Sequence, residues 1–600
     1  VTGTGEPMSR SERIPKLQNQ SRHQFGRREA TLLVAFFMLV VLCFQLGVFY
    51  AKYAADPIGP VTCPGPTACP LCSSTVCDPR PSSRTECDPC PSSVCDPCPI
   101  CPLCDLCDSC PTCPTPANWD KADQFIFFVA AENGLTAAVE AWAQNGVEID
   151  SSDSTGATAL LLAAQNGHTS TVEFLIRAGA SLHTDDKTGA TALIRAAQFG
   201  HVSTVEVLIQ AGASISDSNK NGSTALICAA QNGHDSTVEV LLRAPHCDPN
   251  AAMKTGETAL MVASNYGHAS TVEVLLKGRY RVAANVNATD TYGHTALHAA
   301  VIGGHTPIVE SLLLGGAGPN IPDAQLGFTP LHFAAEFGHD SCVDALLRFG
   351  ANPNGNLAGS LTPLMLSVRE EHTTTVKALL LGGADVNFAH EHVASGCSAV
   401  VLAAETDNQD IVELLLQAGA NPNAVCNSVQ ITGNPGTALG ASLVNEHVTV
   451  AEALLQRGAD PAVADLTGSN ALFYACLRLA PWDSELIREA VLKTDVNAAN
   501  QRGQHALVAA VGRRTVVEHL LRAGADVNVA NSDGVTPLIQ LMSLAAHADQ
   551  LKTLDALLHA GADSNVALPD GRTALAVAKE LGHEQAVEVL RWAGAVADLR

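Results

Sequence analysis

At 600 residues the chain has room for several domains, and it carries 35 Lys+Arg against 60 Asp+Glu, a formal net charge of −25. Residues 57–600 are more acidic still. They keep 28 Lys+Arg (35 less seven) against 56 Asp+Glu (60 less four), a balance of −28. An acidic surface of that size repels a phosphate backbone and argues against nucleic acid as a partner. No Gly-x-Ser-x-Gly, His-Glu-x-x-His or phosphate-loop pattern stands in a suitable context, so the expectation is a chain that is not an enzyme and holds no cofactor.

Residues 1–30 form a polar, basic tail with Arg10, Arg13, Lys16, Arg22, Arg27 and Arg28. The chain opens on Val1, so either an upstream piece is missing or translation starts at Met8. Residues 31–51, TLLVAFFMLVVLCFQLGVFYA, are uncharged and apolar. About 20 such residues cross a bilayer as a helix. The run is long for a cleaved signal core, and it lacks good small-x-small cleavage residues, since Lys52 precedes Ala54 and Tyr53 precedes Ala55. It therefore predicts an uncleaved transmembrane signal anchor. Five basic residues from Arg13 to Arg28 precede the run and Lys52 alone follows it closely. The positive-inside rule then puts the N-terminus in the cytosol and the rest of the chain in a lumen or outside the cell.

Residues 52–118 form a Cys/Pro-rich stalk. Thirteen of the 20 cysteines lie between Cys63 and Cys113, and from Cys95 they fall on every third residue: Cys95, Cys98, Cys101, Cys104, Cys107, Cys110 and Cys113. Interleaved prolines favour polyproline II, with three residues per turn. The seven thiols then line one edge, roughly 9 Å apart from three rises of about 3.1 Å. That exceeds the ~7 Å Cα limit for a disulfide, so pairing between two chains is favoured over pairing between neighbours. The outcome is a disulfide-linked homo-oligomer. Overlapping Cys-x-x-Cys pairs also suit a thiolate metal site, and that reading stays open beside it.

From residue 119 one phrase dominates. Thr158-Ala159-Leu160…Ala163-Ala164-Gln165-Asn166-Gly167-His168 returns at Thr191, Thr224, Thr258, Thr295, Thr329 and Thr362, at steps of 33, 33, 34, 37, 34 and 33 residues. A fixed period of that size denotes a stacked array of one supersecondary unit. Apolar residues at helical spacing predict two helices per unit. Thr158 is placed to cap the first, Ala163 and Ala164 let a neighbour approach, and Gly167 ends the helix. Val172, Leu175 and Ile176 mark the buried stripe of the second, and Gly179 stops it. Turn residues such as Asp153…Gly156, Lys187…Gly189 and Asn221-Gly222 predict hairpin tips between units.

This unit resembles the ankyrin repeat. Thr329-Pro330-Leu331-His332-x-Ala334-Ala335-x-x-Gly338-His339 is nearly the whole family signature, and Gly383-Ala384-Asp385-Val386-Asn387 and Gly524-Ala525-Asp526-Val527-Asn528 carry its ending. The expected fold is an all-α solenoid of about 13 helix–turn–helix repeats with short hairpin tips over 153–600, led by a degenerate capping repeat over 119–152. Departures occur where Lys277-Gly278-Arg279-Tyr280-Arg281 is inserted, where the tip before Thr437 lengthens, and near Asn470, where Ala480-Pro481-Trp482-Asp483 replaces Gly-His. The Gly-His histidines (His168, His201, His234, His268, His305, His339 and His583) read as capping and inter-repeat hydrogen-bonding groups. Asn221-Gly222-Ser223 and Asn287-Ala288-Thr289 are sequons that a lumenal array would expose to glycosylation.

The resemblance implies a scaffold that binds a protein or peptide through its concave face, built from the tips and first helices. Candidate partner-binding residues there are Arg195, Phe199, Cys228, Tyr266, Phe333 and Phe337, beside Leu162, Val262 and Ala299. Arrays of this family are mostly cytosolic, which opposes the charge argument and keeps a cytosolic array as the alternative. The alternative function is a membrane-tethered thiol or metal module with the repeats as spacer.

Overall fold

The computed structural model describes residues 121–277, 283–355, 361–388, 397–426, 436–478, 482–545 and 549–594. The anchor run 31–51, the stalk cysteines Cys95 to Cys113 and the insertion after Lys277 therefore lie outside the described residues. Among the described residues no helix is long and apolar enough to cross a membrane.

Twenty-eight helices alternate along the described chain, a first helix of about two turns and a slightly longer second one. The start of each first helix follows from one side chain. Thr158 is extended, and its hydroxyl accepts a hydrogen bond from the Leu161 amide. Thr191, Thr224, Thr258, Thr362, Thr437 and Thr536 repeat that cap. Each such bond contributes roughly 1 kcal/mol. In two units the third helical residue is histidine and a reciprocal cap forms: the His298 amide donates to the Thr295 hydroxyl, while the Thr295 amide donates to His298 Nδ1 at 3.1 Å. His332 serves Thr329 in the same way.

Burial follows the repeat grammar. Ala163, Ala164, Val172 and Leu175 are fully enclosed, and so are their counterparts Ala196, Ala197, Val205 and Leu208. Small side chains at two consecutive first-helix positions let neighbouring helices approach closely, and the aliphatic stripe of the second helix closes the layer beneath. Ile176 is only half-buried, packed against that layer. A fully buried leucine contributes about 1.5–3 kcal/mol. No unit encloses its apolar face alone, so the stack stabilises itself through neighbours.

The tips are minimal hairpins. Ser152 bridges Thr158, Asp185 bridges Thr191 and Ser218 bridges Thr224, all antiparallel. Asp153 Oδ1 holds its turn by accepting from the Thr155 and Ala157 amides. Successive tips then join through the backbone: Lys187 N donates to Thr155 O, Lys220 N to Thr188 O and Lys254 N to Asn221 O, at 2.9–3.0 Å. The two-residue strands β1 (Val425–Cys426) and β2 (Gly436–Thr437) pair antiparallel in one later tip.

The histidine of each Gly-His does not cap its own helix. It stands at the N-cap position without a side-chain cap bond, and in most units its Nε2 reaches back instead to the preceding unit, whereas the buried His583 Nε2 has no partner among the described residues. His168 meets Glu132 O at 2.8 Å, His201 meets Gln165 O at 2.9 Å, His234 meets Gln198 O at 3.0 Å and His268 meets Gln231 O at 2.9 Å. Of the two expected roles, the inter-repeat bond is the one made. The carbonyl it satisfies is one of the orphan acceptors at the end of the preceding first helix. Where Gly-His is lost, Arg513 does the same work, donating to Cys476 O and Leu477 O. Trp482 fills the gap in the unit before, buried, with its indole N–H on Ala475 O and its ring stacked on His519.

A second inter-repeat clip explains the asparagine that ends many units. Asn528 Nδ2 donates to Gly561 O and its Oδ1 accepts from the Asp563 amide. Asn387 and Asn497 repeat the pattern. Asn287, one of the two sequon asparagines, is engaged in this way with Gly316 O and the Gly318 amide, whereas Asn221 is exposed at a turn.

Candidate protein-binding surface

Two residue rows recur on the first helices. One lies four residues after each cap threonine (Leu162, Arg195, Cys228, Val262, Ala299, Phe333), and the other eight residues after it (Asn166, Phe199, Asn232, Tyr266, Gly303, Phe337). Tip residues border the first row. The structure separates the six candidate residues into three groups.

Phe199, Tyr266 and Phe337 are available for contact, at 47, 39 and 37 % exposed. Each ends a first helix, immediately before the glycine that turns the chain, so its ring splays outward while the alanines before it face the neighbouring helix. Each ring also lies against the histidine two residues further on. Phe199 stacks on His201 at 6.4 Å and Tyr266 on His268 at 6.5 Å, while Phe337 tilts against His339 at 6.0 Å. Gln231 of the preceding unit donates to the Tyr266 hydroxyl. These are exposed aromatics on fixed supports, which lose little conformational entropy when a partner covers them.

Phe333 belongs to a ring cluster. It is half-buried and meets His294, His298 and Phe328 edge-on at 5.7–5.8 Å, while Phe328 stacks on His332 at 4.8 Å. Burial, with nearby His294 adding to it, pushes the His298 imidazole down to about 4. Burial does the same to His332, again to about 4. Both histidines are therefore neutral at pH 7. Phe333 presents one edge outward and shapes the surface from within.

Arg195 and Cys228 are committed inside the array. The Arg195 guanidinium binds Asp186 through two nitrogens, Gln198 Oε1 at 2.8 Å and Thr188 Oγ1 at 2.9 Å, which braces the tip against its own helix. Burial raises the Asp186 carboxyl, but hydrogen bonds from Thr188 and Arg195 outweigh it and hold its pKa below the ordinary value. Cys228 is 6 % exposed, and burial lifts its thiol to about 11, so it offers a partner neither area nor a thiolate. Neither commitment was visible from spacing, because Asp186 and Arg195 meet only once the tip folds over the helix.

One pair of side chains escaped the sequence reading. Cys397 and Cys426 form a disulfide with their Cα atoms 4.3 Å apart. They stand 29 residues apart, and that spacing matches no feature of the repeat grammar.

Paired helices, hairpin tips and the inter-repeat bonds between them define a helical repeat array. Residues 127–219, 215–290, 280–356 and 331–426 match the family model for ankyrin repeats in three copies, so 127–426, half of the chain, is covered. The chain belongs to the ankyrin repeat family, whose arrays are protein–protein interaction modules. It is similar to a Danio rerio protein described as ankyrin repeat and SAM domain-containing protein 6, 29 % identical over 216 residues. That match takes in 32 % of this chain and 28 % of the relative, so the chain spans less than a third of that protein's length.

Proposed function

We propose that the chain is a membrane-anchored, non-enzymatic scaffold whose repeats hold a protein or peptide partner against the face made by tips and first helices. The observation that carries this reading is the row Phe199, Tyr266 and Phe337, three exposed rings in alternate units on rigid supports. Packed helices stand about 8–10 Å apart, which puts successive rings roughly 16–20 Å apart. An extended partner segment of about 5–6 residues spans one such step at ~3.3 Å per residue. Aromatic anchors on a preformed surface are the usual centres of binding energy. The apolar run 31–51 supplies the anchor in this reading, and the charge asymmetry around it puts the repeats in a lumen or outside the cell.

The test begins with proximity labelling around the full-length chain to identify partners, followed by affinity measurement. Replacing Phe199, Tyr266 and Phe337 together by alanine is expected to weaken the partner by at least about 30-fold, the equivalent of ~2 kcal/mol, with helix content unchanged. Exchanging the exposed second-helix residues Glu173 and Glu206 for alanine should leave affinity as it was. The opposite pattern would move the site to the other face.

A further inference from the structure

Cys397 and Cys426 are 3 % and 0 % exposed, while the other described cysteines, Cys228, Cys247, Cys342 and Cys476, are free thiols. The bond encloses one helix pair, Ala399–Ala404 and Gln409–Gln417. Its first half sits two residues before the start of the first of these helices, beside the N-cap Ser398. Its second half lies in β1, paired with Gly436 of β2, directly before the Thr437 cap of the next unit. The bond therefore ties the entry of one unit to the entry of the next. This is also a unit whose own entry is weak: Ser398 stands at the N-cap without a cap bond, and its buried hydroxyl has no partner among the described residues.

We propose that Cys397–Cys426 is a structural inter-repeat staple that replaces the missing cap of this unit, and that the array is consequently built for an oxidising compartment. Forming it removes one proton and one electron from each thiol and joins the two sulfurs. The electrons pass to a disulfide-bearing oxidant, a thiol–disulfide oxidoreductase or glutathione disulfide, which is reduced to two thiols. Enclosed disulfides of this kind persist in secretory and extracellular spaces and are rare in the cytosol. The placement of the bond thus supports, independently of charge, the side of the membrane given above for the repeats. It goes beyond the binding reading and holds with or without a partner on the aromatic face.

Differential alkylation of the full-length chain tests this. No Lys or Arg lies between Lys377 and Arg457, so both cysteines fall in one tryptic peptide, 378–457. Cells are quenched in acid, free thiols are blocked with N-ethylmaleimide, and the chain is then reduced and labelled with iodoacetamide. The expected peptide carries two iodoacetamide groups and no maleimide. Two maleimide groups, or one of each label, would overturn the proposal. A second measurement isolates the staple. In the double variant Cys397→Ser, Cys426→Ser, cleavage by a glutamate-specific protease at Glu405 and Glu413 should accelerate on the order of 100-fold, the usual worth of a disulfide closing a loop of this size. Cleavage at Glu173 and Glu206 should not change. Unaltered cutting at Glu405 and Glu413 would refute the structural role. If the variant does not fold, the labelling of the natural chain still decides the matter. Variants of the aromatic face, whatever they do to binding, leave that labelling as it is.

Discussion

Gly167 and Gly179 occupy equivalent left-handed turns in one unit, at φ +72° and +94°, yet their surroundings differ. A methyl group at Gly179 meets nothing within 4 Å. One at Gly167 runs into the His201 ring of the next unit, with Cγ at 2.7 Å and Cε1 at 2.8 Å. Both alanine variants bear the left-handed backbone penalty of roughly 1–2 kcal/mol. Gly167→Ala must in addition displace the imidazole from Gln165 O, which forfeits a hydrogen bond and leaves a carbonyl poorly paired, a further ~1–2 kcal/mol. The expected totals are about 1–2 kcal/mol for Gly179→Ala and about 2–4 kcal/mol for Gly167→Ala. A long array does not unfold in one step, so the assay is amide hydrogen exchange of the full-length chain, read at helices Ala159–Gln165 and Val202–Gln210. A double-mutant cycle with His201→Ala completes it: with the ring gone, Gly167→Ala should cost no more than Gly179→Ala. Equal losses for the two single variants would refute the view that the inter-repeat histidine, as well as the turn, requires this glycine.

Three further outcomes follow from the same geometry. His298 and His332 are held near pKa 4 against an ordinary 6.5, so the unfolded chain binds more protons between those values; their share of stability is full above about pH 6.5 and is lost as pH falls toward 4, up to about 3 kcal/mol each. Hydrogen exchange at pH 7.5 and pH 5 should show the helices Ala296–Ile302 and Pro330–Glu336 loosening before Ala159–Gln165, whose corresponding residue is Leu161; uniform loosening would contradict this. Glu371 holds, at φ +58°, a place that glycine takes in most units, so Glu371→Gly should strengthen local protection by about 1 kcal/mol, and any weakening would count against the strain. On a non-reducing gel the chain should run as a disulfide-linked dimer or larger species that serine at Cys95 through Cys113 abolishes, and protease added to sealed vesicles should spare the repeats; digestion from the cytosolic side would reverse the topology and favour the reduced, metal-binding reading of the stalk.

Much of the fold was legible because the period repeats the same local chemistry many times. Thr158 caps because a β-region threonine before an apolar helix does so wherever it stands, and Ala163 and Ala164 are buried because two small residues on one helical face admit a neighbour. The aromatic row was legible too, since Phe199, Tyr266 and Phe337 hold one register position at the exposed end of a helix. What was not legible is where a residue's surroundings depend on contacts beyond its own helix. Arg195 stood among the candidate partner-binding residues, and the folded tip brings Asp186 to it. Phe333 was a candidate of the same kind, and His294, His298 and Phe328 pack around it.

The sequence by itself determined the unit: which residues turn, which cap and which are buried, because helix ends and apolar stripes depend on neighbours three or four residues away. Only the tertiary structure decided how one unit grips the next. The histidine of Gly-His had two expected roles, a cap on its own helix and a bond to its neighbour, and in most units the fold selects a carbonyl about 36 residues earlier. Arg513 takes over that carbonyl contact with no resemblance in sequence to a histidine. Cys397 finds Cys426 across a whole helix pair. Contacts of that kind depend on the rise and rotation from unit to unit, a geometric quantity that no local pattern of residues encodes.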